Sequence, residues 1–320
     1  MPDLLAVPTL SSIQEAADRI QDLVHRTPLL QSTSLNALSG ADLYFKCENF
    51  QRVGAFKARG AANAVLKLSE EMRQKGVATH SSGNHAAALA RAAGSVGIPA
   101  YIVMPTSAPE IKKKAVKAYG GEIIFCAPTL EARESTLQEV VERTGATFIP
   151  PYDHPDVVEG QGTCALEMWE QEGGFDTIVC PVGGGGLLGG TAIVSKALRP
   201  EVRVIAAEPA GADDAFRSFQ AKERIPMVGP NTLADGLLTS LGELNFQLLL
   251  THVDDVLTVT DAQIIQAMRL IYERLKIVVE PSCAVPLAAI LRYPERFKGQ
   301  KIGIILSGGN VDLDKLPFRL

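Results

Sequence analysis

Val179-Cys180-Pro181-Val182-Gly183-Gly184-Gly185-Gly186-Leu187-Leu188-Gly189-Gly190 is the stretch that decides how this chain is read. An apolar run ends, side chains vanish for four residues, and an Ala/Leu-rich helical pattern follows over 191–198. A glycine loop between a strand and a helix bares backbone N–H groups beside the positive end of that helix, which suits a phosphate. The same residues satisfy a second motif. Gly184-x-Gly186-x-x-Gly189 matches the dinucleotide fingerprint, and Glu208, after the next strand-like run, stands where the acidic ribose ligand belongs. The loop therefore predicts a phosphate-binding βα unit and leaves two cofactor classes open. One of them would make the protein an NAD-dependent oxidoreductase.

Working outward, strand-like and helix-like segments alternate along nearly the whole chain, which predicts an α/β fold with mostly parallel sheets. Residues 11–24 are amphipathic, with Ser11 or Ser12 as the N-cap. Asp42–Cys47 reads as a strand and 57–68 as a helix. The βα alternation then runs through 84–93, 100–104, 109–119, 122–125, 130–143 and 146–149. Pro150-Pro151-Tyr152-Asp153-His154-Pro155 is a rigid break, and 160–171 reads as the next helix. Residues 211–235 read as irregular, 261–275 as a helix and 302–306 as a strand. This pattern places a small domain over 53–146 inside a larger one made of 1–52 and 147–320. A cleft lies between them.

Composition excludes several classes. A net charge of −5 offers nothing to nucleic acid or an anionic membrane. Lys112-Lys113-Lys114 reads as the solvated face of a helix. Five scattered cysteines without CxxC or metal spacing point to a reducing, cytoplasmic setting. Pro2, Asp3 and Pro8 give no leader pattern, and no apolar run is long enough to span a bilayer.

Four further segments carry chemistry. In Asn49–Ala61 (Asn49-Phe50-Gln51-Arg52-Val53-Gly54-Ala55-Phe56-Lys57-Ala58-Arg59-Gly60-Ala61), Lys57 begins a helix, where the macrodipole disfavours a cation and lowers its pKa. That is what an amine nucleophile needs, although a solvated first-turn lysine has the same position. Phe56 beside it is a core residue or a stacking face. Ser81-Ser82-Gly83-Asn84-His85 opens an Ala-rich helix and offers a carboxylate cradle; one of its residues would serve as N-cap in either case. Ser307-Gly308-Gly309-Asn310 follows a β-branched strand, where α/β sheets bind ligands, or forms a simple turn. Glu208, Asp213 and Asp214 form a hard-cation site or an exposed acidic turn.

Together these segments resemble the fold-type II pyridoxal-phosphate enzymes, which share the two-domain tryptophan synthase β-like fold. The likeness is to the serine racemase, threonine dehydratase and 3-hydroxyaspartate dehydratase group. It runs from His25-Arg26-Thr27-Pro28-Leu29 to Ser307-Gly308-Gly309-Asn310-Val311-Asp312. The resemblance implies that Gly183, Gly184, Gly185 and Gly186 hold one phosphate monoester of pyridoxal phosphate. It implies Lys57 as the Schiff-base lysine, with Phe56 packing on the cofactor ring. Asn84 would meet the ring's phenolic oxygen and Ser307 the pyridine nitrogen. A neutral Ser307 hydroxyl cannot keep that nitrogen protonated, which tilts the chemistry toward β-elimination. Ser82 is implied as the proton carrier opposite Lys57. Glu208, Asp214 and the backbone of Ala212 would form a site for Mg²⁺, Ca²⁺ or Mn²⁺. Ser81, Ser82, Asn84 and His85 would bind the substrate's α-carboxylate, while Arg133, and failing it His80 or His154, would read a second carboxylate.

The implied activity is a dehydratase, or ammonia-lyase, that removes water from a small β-hydroxy amino acid. Its first expected substrate is 3-hydroxyaspartate, giving an oxo acid and ammonia. The alternative within the group is a serine racemase with serine and threonine dehydratase activity. A homodimer is implied as well.

Overall fold

The computed structural model describes residues 7–318, so Pro2 and Asp3, on which the leader reading rests, lie outside it. Among the described residues, ten strands form two sheets. The first comprises β1 (Leu29–Leu30), β2 (Asp42–Cys47), β7 (Thr177–Pro181), β8 (Arg203–Pro209), β9 (Asp255–Val259) and β10 (Lys301–Leu306). Their order is β1-β2-β10-β7-β8-β9, and only β1 runs antiparallel. The second comprises β3 (Val77–His80), β4 (Ala100–Pro105), β5 (Glu122–Cys126) and β6 (Thr147–Phe148). Its order is β5-β4-β3-β6, parallel throughout. It thus extends past residue 146, because β6 pairs with β3 through Val77 and Ala78. Central strands such as β7 and β10 are apolar on both faces, as strands covered by helices on both sides must be.

Four local readings change in the structure. The first helix runs Leu10–Ile20 with Thr9 as N-cap, closed by a reciprocal capping box with Ser12. The helix expected from 160 begins at Pro155, with His154 Nδ1 accepting the Asp156 N–H. Proline is welcome in a first turn, where its missing N–H had no partner anyway. Inside the supposedly irregular 211–235 lies a helix, Asp214–Ala221. Glu208 sits within β8, not beyond it.

Three helices meet through glycine backbones. A Cβ on Gly160, in the Pro155–Gln171 helix, would lie 2.6 Å from Arg59 O and from Gly60 Cα of the Lys57–Leu66 helix. Farther along, a Cβ on Gly190 of the Gly186–Leu198 helix would lie 2.6 Å from Gly162 N. Contacts this close exclude any side chain. They set the Lys57 helix and the glycine-loop helix on opposite flanks of the Pro155 helix.

Behind Lys57 a buried charge cluster locks the Lys57 helix to the Pro155 helix. Arg59, fully buried, donates to both oxygens of Glu48 (2.7 and 2.8 Å) and both of Glu167 (2.7 and 2.9 Å). Lys46 Nζ adds Glu167 at 2.7 Å and Thr27 O at 2.8 Å, while Thr27 Oγ1 donates to Glu48 at 2.6 Å. Burial alone would raise the Glu48 carboxyl, but Arg59 and Lys46 hold it below the usual carboxylate range. Removing one member leaves an uncompensated charge in the interior. Arg59→Leu is therefore expected to destabilise the fold by about 3–5 kcal/mol in chemical denaturation, far more than an exposed ion pair contributes.

Candidate active site

The site lies at the carboxyl ends of the parallel strands, where open α/β sheets bind ligands. The glycine loop leaves β7, Ser307 leaves the adjacent β10, and Ser81–Asn84 leaves β3 in the second sheet. Lys57 joins them because Phe56 N–H donates to Ser307 O at 3.0 Å and Ala55 bridges Gly308.

Lys57 is the first residue of its helix, and no side chain caps that end. Its Nζ donates to Pro151 O at 2.5 Å and lies 5.0 Å from the Phe56 ring centroid and 5.9 Å from that of Tyr152. Desolvation pushes the amine down to about 8, although Glu280 opposes the shift. The free base is thus accessible near neutral pH, as a nucleophilic lysine requires.

The loop is shaped by what lies against it. A Cβ on Gly184 would clash with the Tyr152 ring, one on Gly186 would meet Tyr152 O at 2.8 Å, and one on Gly185 would meet Asn245 Cβ at 2.7 Å. Gly185 also has φ 93°, a left-handed conformation open to glycine. Asn245 Nδ2 ties Gly184 O (2.8 Å) to Tyr152 O (3.1 Å). Among the described residues, no protein acceptor takes the N–H groups of Gly183 to Gly186. Four orphan donors at a helix N-terminus match a single phosphate group. The dinucleotide reading fails here, because both Glu208 oxygens accept N–H groups at the start of the Asp214 helix, from Ala215 (3.1 Å) and Phe216 (2.9 Å).

Asn84 opens its helix with Nδ2 3.1 Å from each oxygen of Glu280 and Oδ1 accepting from Asn310 Nδ2 at 3.0 Å. Ser81 Oγ accepts the Gly83 N–H at 3.3 Å, while Ser82 Oγ has no protein partner among the described residues. His85 is buried with Nε2 3.0 Å from Ile149 O, a carbonyl that only accepts, so Nε2 carries the hydrogen. Desolvation and the nearby Lys57 push its pKa down to about 3, which leaves His85 neutral with Nδ1 unpartnered. It pins the 149–152 segment and is no cation for a carboxylate.

The second-carboxylate candidates separate clearly. His154 is occupied as a helix cap, and His80, stacked on Phe148 at 5.9 Å, is driven toward neutrality by burial. Arg133 has no carboxylate within ion-pair distance among the described residues, and its buried Nε lacks a partner. Its charge reaches His80, the residue before the Ser81–Asn84 turn. Lys112 is not merely solvated, since it pairs with Asp235 at 2.9 Å.

At the acidic turn, Asp214 accepts Leu241 N–H through Oδ2 at 2.7 Å while its buried Oδ1 has no partner. Burial raises both Glu208 and Asp214 above the usual carboxylate range. Asp213 turns away to Arg217 at 2.8 Å. Among the described residues no three metal-ligating side chains cluster. The orphaned Asp214 oxygen beside the Glu208 carboxylate is nevertheless a donor set that a hard cation fits.

Sequence reading passed over Glu280, Tyr152 and Asn245. Glu280 follows a run of apolar residues and precedes a proline, which signals only a helix start. Tyr152 lies in the proline-rich break, which carries no recognisable motif.

Residues 20–308 match the family model described as pyridoxal-phosphate dependent enzyme. The chain belongs to that family. It is 52% identical over 312 residues to the β-hydroxyaspartate dehydratase of Paracoccus denitrificans, covering 98% of this chain and 99% of that one. It is 46% identical over 312 residues to the L-threo-3-hydroxyaspartate ammonia-lyase of Saccharomyces cerevisiae, covering 97% and 96%. The crystal structure of serine racemase from Dictyostelium discoideum superimposes with a TM-score of 0.93 at 48% identity, covering 96% and 100%. The fold is that of the fold-type II enzymes of this family, and the cofactor is pyridoxal phosphate.

The fit of Tyr152 onto the loop yields a test. Gly184→Ala is expected to raise the cofactor's dissociation constant by at least tenfold, read from visible absorbance, because the added methyl and the Tyr152 ring claim the same space. Unchanged affinity would mean that the loop does not form the phosphate site.

Proposed function

We propose that this enzyme removes water from 3-hydroxyaspartate and releases an oxo acid and ammonia. Arg133 carries the reading: a partly buried guanidinium with no carboxylate partner among the described residues, its charge felt at His80 just before the Ser81–Asn84 turn, suits a second carboxylate, which serine and threonine lack. The dehydratase and ammonia-lyase relatives, similar over nearly their whole length, support it.

The roles follow from the positions. Gly183, Gly184, Gly185 and Gly186 hold the phosphate, Phe56 packs on the ring, and Asn84 and Ser307 meet its polar edge. Bound there, pyridoxal phosphate supplies an electron sink for charge developing at the substrate's α-carbon. Ser81, Ser82 and Asn84 hold the α-carboxylate at a helix N-terminus. The Lys57 amine, kept near its free-base form by desolvation, takes the α-proton. Residues 53–146 act as a small domain that closes on the substrate, with Lys112–Asp235 as a cross-cleft contact. A second reading, serine racemase, is favoured by one observation: the Ser82 hydroxyl is unpartnered and available to carry a proton. The five cysteines, all free and buried, agree with a reducing cytoplasm. No described helix is long and apolar enough to cross a membrane. The homodimer rests on family resemblance.

Steady-state rates with the 3-hydroxyaspartate isomers, serine and threonine test the assignment. Arg133→Ala is expected to lower kcat/KM for hydroxyaspartate by on the order of tenfold to several hundredfold, the range of a lost charge-assisted hydrogen bond. Serine turnover should change far less. Equal losses for both would assign Arg133 to closure or folding.

For the cation, Glu208 and Asp214 with the Ala212 backbone would hold Mg²⁺, Ca²⁺ or Mn²⁺. Removal by chelator is expected to lower thermal stability and activity together, and readdition to restore both, since a cation bound only to the native state stabilises it. A metal-free sample with unchanged melting would remove the site.

A further inference from the structure

Directly behind Asn84 stands Glu280, a carboxyl only 4% exposed. The hydrogen bonds around it admit one direction. Val53 O can only accept, so the 2.7 Å contact from Asn310 must come from the Nδ2 of that amide. The same Nδ2 reaches Asn84 at 3.0 Å, so Asn84 presents Oδ1 there. Asn84 Nδ2 is left facing Glu280, 3.1 Å from both carboxyl oxygens, and Glu280 Oε2 also accepts the Asn310 N–H at 3.2 Å. An amide nitrogen carries two hydrogens. Glu280 takes one, and the other has no acceptor among the described residues. On the far side lies Gly308, where a Cβ would come within 2.8 Å of Oε1, so only glycine leaves space for the carboxyl there.

We propose that Glu280 is the positioning residue for Asn84, turning its free N–H toward the bound cofactor when ionised and releasing that hold when protonated. Ionised, Glu280 offers only acceptors to the two N–H donors it faces. Protonated, one oxygen brings a hydrogen against a donor. The proposal rests on the reading that Asn84 faces the cofactor.

The surroundings bring this proton within the working range. Burial and Asp235 raise Glu280 to about 7, against the opposing pull of the Asn84 hydrogen bond, Lys112 and the Asn310 N–H. Lys57 on the facing helix and Cys283 on its own helix also feel its charge. The sign follows from a folded pKa above the unfolded one. The contribution to stability is fully present below about 4.5 and lost as pH rises through about 7.

The test uses wild type, Glu280→Gln and Asn84→Ala. The visible absorbance of the bound cofactor is titrated between about pH 5.5 and 8.5, and the folding stability of the cofactor-free proteins is followed from about pH 5 to 8. Wild-type holoenzyme should show a spectral transition near pH 7 that both variants lack. Over the same span the wild-type unfolding equilibrium constant should rise roughly a hundredfold relative to Glu280→Gln. In Asn84→Ala that stability dependence should persist while the spectral transition disappears. A spectral transition that survives in either variant with the wild-type midpoint overturns the proposal. So does a Glu280→Gln stability profile parallel to wild type. A wild-type protein that gains no visible band with pyridoxal phosphate would instead defeat the cofactor-facing reading, a result distinct from either.

Discussion

The backbone contact between helices at Gly60, Gly160, Gly162 and Gly190 is the constraint on which the rest of this molecule depends. Lysine and phosphate loop belong to separate helices, and a reaction centre built from both requires their N-termini to be held at a fixed separation. Packing helices backbone to backbone does this with little slack, since atoms already in contact cannot slide closer and any side chain would force them apart. The Arg59 cluster acts on the same joint from below, tying the Lys57 helix to Glu48 after β2 and to Glu167 on the central helix.

Two electrical environments lie within one helix of each other. Below the Lys57 helix, charges are buried as matched pairs, which pushes Glu48 down and Arg59 further up. At its N-terminus, charges are buried without matched partners, and Lys57, His85 and Glu280 all shift toward their neutral forms. Desolvation is the largest cause in each of the three. Such a site favours an uncharged amine and lets small changes in hydrogen bonding decide protonation.

Tyr152 shows how the break between the sheets serves the site. Its carbonyl and ring pack on the glycine loop, and the preceding Pro151 carbonyl receives Lys57. His85 pins this segment at Ile149, and Asp153 anchors its other end by accepting the N–H groups of Glu243 and Asn245. A prolyl stretch without regular structure thus becomes the surface that gives the phosphate loop its shape.

The parts that were legible beforehand are those whose function and local conformation share one cause. Four glycines after an apolar run, a lysine at a helix start and small polar residues before an Ala-rich helix each announce themselves, because backbone N–H groups at a helix N-terminus are a local property. Much of the strand and helix alternation likewise follows from local periodicity, but β3 and the helices Thr33–Ser39, Glu70–Lys75, Asp214–Ala221, Glu243–His252 and Pro281–Arg292 carried too weak a local pattern to be read. The Asp214 helix follows a turn dense in acidic residues, and the Pro281 helix holds an interior proline. Glu280 carries no such mark: 196 positions separate it from Asn84, and it acquires meaning only when β10 and the second sheet bring them together. The same holds for Arg133, whose lack of a partner is a fact of its surroundings, and for His85 and His154, whose hydrogen bonds settle roles that their residue type leaves open. Sequence alone determined most of the elements and the phosphate loop, because these depend on neighbours a few residues away. Tertiary structure decided the protonation and orientation of the site's side chains, because burial and long-range hydrogen bonds exist only once distant segments meet.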